Sequence, residues 1–362
     1  MKSDQIQWEN ILFILGYHLF LLIALPIYFY SGHSPSTSLI ATMFAIVFAS
    51  GIAVTAGYHR LFSHLAYKAN PVVEATFLFF ASVATQGSAL QWCHDHRLHH
   101  AFVDTDKDPY SIKKGFWHAH LFWMFHKMRP IDPKVVSDLM RSPMIVFQHK
   151  HYTFCMLTSN LFVFLTVGWL MNDYLGAFLF AWWVRLFVNH HTTWSINSLA
   201  HTWGSHRYSE EHSAVDNYLI SLLTYGEGYH NYHHTFAQDY RNGIRWYHFD
   251  PTKWLIWILS KLGLTRDLKK VNDFRIAKQL ISEHKEKLVE RLRITLDFDL
   301  EKRVAEKADK LLERLNNLQS LYEKYKTVPR DQIRQAKKAW QEDWKQWKQL
   351  IRATRQVMQL GH

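Results

Sequence analysis

The chain has 362 residues, a formal net charge of +11, 48% hydrophobic residues, 24 His and only 2 Cys. Two cysteines, Cys93 and Cys155, exclude a disulfide framework and a four-thiolate site, and they point any metal towards nitrogen ligands. An oily first two thirds gives way to a last quarter dense in charge.

A membrane span needs about 20 mostly apolar residues, and four stretches qualify: Leu12 to Tyr30, Leu39 to Gly57, Thr153 to Met171 and Leu175 to Trp194. The fourth carries Arg185 and ends in His190 and His191, so it is expected to lie against protein or to run beyond the lipid at that end. The opening MKSDQIQWEN lacks the basic region and cleavage site of a secretory signal, and the first span is expected to be retained. The connections SGHSPS and ND hold no Lys or Arg, whereas the segment from Tyr58 to His151 holds Arg60, Lys68, Lys113, Lys114, Lys127 and Arg129. The positive-inside bias then puts this segment, the part after Trp194 and both termini on the cytoplasmic face. Positive charge on that face can meet anionic lipid, acidic partners or phosphate-bearing substrates. The apolar run Val72 to Leu90 contains Gln86 and is expected as a helix packed inside or along the cytoplasmic part. Trp254 to Leu264 is too short to cross, and its tryptophans suit the headgroup level.

From about Thr265 the character changes. Val304, Ala308, Leu311, Leu315, Leu318, Tyr322 and Tyr325 alternate spacings of four and three, an apolar heptad seam on a charged helix. After VPRD, the residues Ile333, Ala336, Trp340, Trp344, Trp347, Ile351 and Met358 mark a similar stripe. The expected organisation is a membrane domain over 1–271 and a charged C-terminal helical hairpin over 272–362. The fold class is an all-α membrane protein: four transmembrane helices, a cytoplasmic helical cap and the hairpin.

Histidines cluster just past the apolar runs: HRLFSH supplies His59 and His64, HDHRLHH supplies His94, His96, His99 and His100, NSLAH supplies His201, and GEGYHNYHH supplies His230, His233 and His234. On a helix of about 3.6 residues per turn, residues i, i+3 and i+4 share one sector, so each HxxHH triplet is expected to send three imidazoles towards one point. The two triplets are then expected to serve separate ions. His59 and His64 differ by roughly 140° on an unbroken α-helix; they reach different metals, or the helix unwinds between them. Imidazole suits Fe, Zn and Cu, and there are too many ligands for one ion, so a two-metal centre is the natural inference.

HRLFSH, HDHRLHH followed by DTDKDPY, NSLAH and GEGYHNYHH resemble, in order and spacing, the histidine boxes of the membrane fatty acyl-CoA desaturases of the stearoyl-CoA Δ9 type, over about Gly51 to Val271. The resemblance implies an O2-dependent oxidoreductase that desaturates a long-chain acyl thioester with two Fe ions. It implies nine metal ligands, His59, His64, His96, His99, His100, His201, His230, His233 and His234, with Asn197 holding a metal-bound water. His94 lies outside the family pattern, in a supporting or structural place, and His190 and His191 are unassigned. The resemblance also implies a bent tunnel lined by Gln86, Trp92 and Thr193, with Trp194 beside it. No fused cytochrome b5 haem domain is expected, so electrons are expected from a separate ferredoxin, rubredoxin or cytochrome b5 type donor with its reductase. Acyl-CoA and membrane lipid are the other expected partners, with no nucleic acid, in a bacterial inner membrane or the endoplasmic reticulum. The competing enzyme reading is a membrane alkane or sterol hydroxylase; a metal transporter is the reading from another class.

Overall fold

The computed structural model of the chain describes residues 6–126, 129–294 and 297–360, with side chains as far as Thr354. Lys127 and the side chain of Met358 lie outside the described residues. The chain divides into two compact units, one of Met1–His206 with Glu211–Lys270, the other of Arg207–Glu210 with Val271–His362.

In the first unit, α1 (Trp8–Tyr30) and α2 (Thr37–Ile52) are joined by the SGHSPS turn. Gly32, at φ +78°, takes the left-handed position that ends α1, and the Ser36 hydroxyl accepts from Leu39 N–H to start α2. The helix then continues, without leaving the helical track, as a π-helical section, Ala53–Ser63. Helices α3 (Pro71–Val83) and α4 (Ala89–Phe102) follow, capped by Asn70 and Ser88. The short helices α5 (Phe116–His120) and α6 (Pro143–Lys150) lead to α7 (Tyr152–Met171). After α8 (Tyr174–Gly176) the chain winds as a second π section, Ala177–Val184, and then as α9 (Arg185–Ser198). Helices α10 (Tyr218–Leu223), α11 (His230–Thr235) and α12 (Pro251–Lys261) complete the unit, with two short antiparallel strands, β1 (Lys68–Ala69) and β2 (Thr265–Arg266).

Among the described residues, three helices are long and apolar enough to cross a membrane: Trp8–Tyr30, Thr37–Ser63 and Tyr152–Met171. The expected fourth span, Leu175 to Trp194, is not among them. It is helical, but Arg185, Asn189 and His190 are buried along it, and it packs against α2 and α7 through its π section. The apolar run Val72 to Leu90 is not one helix either. It breaks after Val83, where Thr85 (φ +55°) and Gly87 (φ +88°) turn the chain, and α4 starts afresh at Ala89. Its first half, α3, packs on α7 and the first π section. On α12, Ile256 is buried while Trp254, Trp257 and Ile258 are exposed, a one-sided apolar face as an interfacial helix requires.

Among the described residues, the second unit is a bundle of three helices, not two. The stripes over Val304 to Tyr325 and Ile333 to Trp347 fall on α14 (Phe298–Glu323) and α15 (Arg330–Leu360), and α13 (Asp273–Ile294) packs on α14 as well. Ion pairs Lys285–Asp309 and Arg293–Glu301 link α13 to α14, and Lys307–Asp343 and Arg314–Asp343 link α14 to α15. Lys307 also reaches Gln346 and Arg314 reaches Ala339 C=O, so in both sets the residue number rises on one helix as it falls on the next, and neighbours run antiparallel. Ile281, Leu288, Val304, Leu311, Leu315 and Trp347 form the buried seam.

Candidate metal centre

Imidazoles from four elements meet inside the first unit. His59, His64, His96, His100 and His233 form one group and His99, His201, His230 and His234 a second, the ring nitrogens within each lying within 4.8 Å of one another. All nine sequence candidates are therefore brought together, but the triplets do not converge as expected. Each divides: His96 and His100 join the first group while His99 joins the second, and His230 and His234 join the second while His233 joins the first. On a helix i+4 lies about 40° round from i on one side and i+3 about 60° on the other, so the i+3 and i+4 rings point roughly 100° apart. With α4 and α11 facing each other across the gap, that offset separates two sites. The π winding settles His59 and His64: His64 N–H donates to His59 C=O at 3.1 Å, an i→i+5 turn that brings the two rings edge to face with centroids 4.8 Å apart.

Opposite each inward nitrogen, several rings are tied down. His59 Nδ1 lies 2.9 Å from Glu227, His99 Nδ1 2.9 Å from Asp108, His96 Nδ1 3.1 Å from the Tyr110 hydroxyl, and His201 Nδ1 2.8 Å from Ser213 Oγ. Ser213 in turn donates to Asp104 at 2.6 Å. A ring that donates Nδ1–H to a carboxylate presents Nε2 as a bare acceptor. Yet His59 Nε2 and His233 Nε2 lie 2.9 Å apart, and His99 Nε2 and His234 Nε2 3.3 Å. His233 Nε2 is also 3.0 Å from His100 Nε2, and His234 Nε2 3.2 Å from His230 Nε2; one ring proton cannot satisfy every such close pair, so the donor set fits a metal ion in each group. Burial holds the imidazoles of His64, His96, His100, His201, His233 and His234 well below the usual histidine range, with the neighbouring rings adding to the effect, and His230 is pushed down to about 3. Neutral imidazole is the form that binds metal.

A family model for fatty acid desaturases matches residues 35–265. The chain belongs to the fatty acid desaturase family. It is 41% identical over 289 residues to a probable acyl-CoA desaturase of Schizosaccharomyces pombe, covering 78% of this chain and 60% of that protein. It is 40% identical over 241 residues to acyl-CoA desaturase 1 of Saccharomyces cerevisiae, covering 66% and 47%. It is 31% identical over 269 residues to the sn-1 stearoyl-lipid 9-desaturase of Anabaena variabilis, covering 74% and 95%. The chain thus spans about half to three fifths of the length of the two fungal relatives. Its three long apolar helices mark this desaturase-family chain as a membrane protein.

Beside the imidazoles lies a cavity of about 350 Å³, bordered by Gln86, Trp92, Thr193, Trp194 and Asn197 together with His59, His96 and His230. Trp92 stacks on the His96 ring at 4.9 Å, and Gln86 Nε2 donates to Thr193 Oγ1 at 3.3 Å. Three other histidines are accounted for elsewhere. His94 uses both nitrogens, on Asp95 and on Asp132 N–H. His190 bonds Tyr17 and Thr85 C=O, and His191 bonds His18 and His120. Glu227, Asp108, Tyr110, Ser213 and Asp104 had no role assigned from the sequence. The only signal for them was company, since Glu227 lies within the last histidine motif and Asp104, Asp108 and Tyr110 within DTDKDPY.

Proposed function

We propose that this chain is an O2-dependent desaturase that makes a double bond at Δ9 of a long-chain acyl-CoA. The observation that carries the reading is the division of nine buried imidazoles into two adjoining groups at the wall of a largely apolar cavity. We take His59, His64, His96, His100 and His233 as ligands of one iron and His99, His201, His230 and His234 as ligands of the other, with Asn197 holding a water. Two iron ions supply the oxidant that an unactivated methylene pair demands, which no side chain can provide. The balance is one CH2–CH2 unit, one O2, two electrons and two protons giving CH=CH and two waters. The electrons come from a separate ferredoxin, rubredoxin or cytochrome b5 type donor and its reductase.

The chain's own residues then hold, orient and exclude. Glu227 and Asp108 fix the Nδ1–H tautomers of His59 and His99 so that Nε2 faces inward. Trp92, Gln86 and Thr193 line the bend of the acyl tunnel, with Trp194 beside them, and keep water from the reacting carbons. The fourth helix, 174–198, is read as a span whose polar face is covered by protein. The excess of Lys and Arg on the segment after Tyr58 puts the site on the cytoplasmic side. CoA is preferred as carrier because the fungal relatives, named acyl-CoA desaturases, are 40–41% identical, against 31% for the lipid desaturase.

Gas chromatography with mass spectrometry of fatty acids from cells expressing the chain tests this reading. A new Δ9 double bond is the expected result, and an alcohol or no product overturns it. Purified protein given stearoyl-CoA or a stearoyl lipid separates the two carriers.

A further inference from the structure

The turn between α3 and α4 carries Gln86, and its main chain is held almost wholly by side chains from elsewhere in the fold. Thr85 C=O accepts from His190 Nε2 at 3.1 Å, Gly87 N–H donates to the Tyr152 hydroxyl at 2.9 Å, and Gly87 C=O accepts from the Tyr58 hydroxyl at 3.2 Å. Within it, Thr85 at φ +55° is a β-branched residue in the left-handed region, a conformation that persists only where the surroundings impose it. His190 already ties this turn to the fourth helix, and Arg185 of the same helix adds a second tie at the end of α3, where the turn begins. The Arg185 side chain is fully buried, Nη1 donates to Val83 C=O at 2.5 Å, Nε donates to Ala181 C=O at 3.1 Å, and Nη2 donates to Asn160 Oδ1. Asn160, also buried, passes the grip on: its Nδ2 reaches Ser82 C=O and Thr85 Oγ1, both at 3.4 Å.

No carboxylate pairs with Arg185 among the described residues, and it does not border the cavity. A cation in an apolar helix is costly and calls for an explanation. The C-terminal carbonyl of α3, at the negative end of the helix dipole, gives part of one. A neutral amide could supply some of these bonds, but only a guanidinium reaches Val83, Ala181 and Asn160 in three directions at once. The same fourth helix carries Thr193, whose hydroxyl takes the hydrogen bond from Gln86. Arg185 therefore ties the end of α3, from which the Gln86 turn leaves, to the helix that carries Thr193.

We propose that Arg185 is a positioning residue that sets where along the acyl chain the double bond is made, by holding the 84–88 turn and with it Gln86 against the fourth helix. The inference rests on the reading of Gln86 and Thr193 as the bend of the tunnel. Its test compares the parent with Arg185→Gln, Arg185→Lys and Asn160→Asp, the last giving Arg185 a carboxylate partner while removing the donor that reaches Thr85. Three quantities are measured: bound iron, hydrogen exchange of amides 84–89, and double-bond position in the product.

In Arg185→Gln, iron content stays at the parent level and exchange across 84–89 quickens. Product falls on the order of 10- to 100-fold, as for misplacement by a fraction of an ångström to 1 Å, and the remaining double bonds spread to neighbouring carbons. Arg185→Lys recovers part of the positional fidelity, which a merely structural role would not do. Unchanged bond position in an iron-loaded Arg185→Gln protein overturns the proposal. Should that variant not fold, unchanged position in both Arg185→Lys and Asn160→Asp does the same. A parent protein that makes no olefin sinks the desaturase reading instead, and exchange then decides the clamp: quickening confined to 84–89 supports it, and no quickening overturns it.

Discussion

Trp92 packs its indole flat on the His96 ring and faces the cavity with the same side chain. Truncating it would open space beside the proposed ligand without removing a ligand. Trp92→Ala should therefore keep close to two irons per chain, lose product by about 100-fold, as expected for reacting atoms displaced by about 1 Å, and scatter what is left over adjacent positions. Fatty-acid analysis beside metal analysis on one preparation checks this, and unchanged yield and bond position would take Trp92 out of the tunnel lining. His33, on the SGHSPS turn and exposed, provides the control: His33→Ala should match the parent in both measurements.

Two elements decide how the imidazoles are shared. On α4, the consecutive residues His99 and His100 look into different groups. His99→Ala should weaken only the second site and His100→Ala only the first, each leaving about one iron bound, whereas the double variant should lose both. Mössbauer spectra of the two single variants should then retain different members of the parent's pair of sites; identical residual spectra would contradict the division. The first π section owes its end to Arg97, whose guanidinium bonds Phe62 C=O and Ser63 C=O, both left without helical partners at the terminus, together with Val135 C=O and both oxygens of Asp138. Partial burial raises the Asp138 carboxyl, but the Arg97 hydrogen bonds and charge outweigh it and hold the group below its ordinary value. A depressed carboxylate contributes stability that is present above its unfolded pKa, about 3.9, and is lost as pH falls through the lower folded value. Thermal midpoints of the parent should thus drop on acidification below about pH 4, and those of Asp138→Asn should be lower at neutral pH and lose less over the same window.

Over the whole molecule, the two units keep separate apolar cores, one around Tyr58, Phe77 and Leu90 and the other around Ile281, Leu311 and Trp347. All nine candidate imidazoles and the cavity belong to the first unit. Truncation after Val271 should accordingly leave metal content and the metal spectrum unchanged, with expression reduced. A truncated protein that inserts and loads iron but turns over nothing would assign the three-helix bundle a part in electron delivery or catalysis.

Residue order was enough to single out the two HxxHH triplets, because i, i+3 and i+4 spacings and their placement after apolar runs are local properties; the resemblance to the histidine boxes added His59, His64 and His201 and left His94 out. Periodicity likewise located three long apolar helices and the heptad seam of α14. The division of each HxxHH triplet was decided elsewhere. It depends on α4 and α11 facing one another, a long-range packing that no local spacing encodes. The π winding that brings His64 over His59 has no pattern of its own in HRLFSH. The apolar run from Val72 to Leu90 conceals its turn, since apolar residues continue on both sides of it and the bonds that sustain Thr85 and Gly87 come from residues 58, 152 and 190. The carboxylates behind the rings follow the same logic: Glu227 meets His59 from 168 residues along the chain, and Asp104 supports His201 through Ser213. Spacing along the chain and the likeness of its histidine motifs thus named the imidazoles, and only tertiary packing could divide them between two sites and orient their outer nitrogens, because those contacts join helices that are neighbours in space alone.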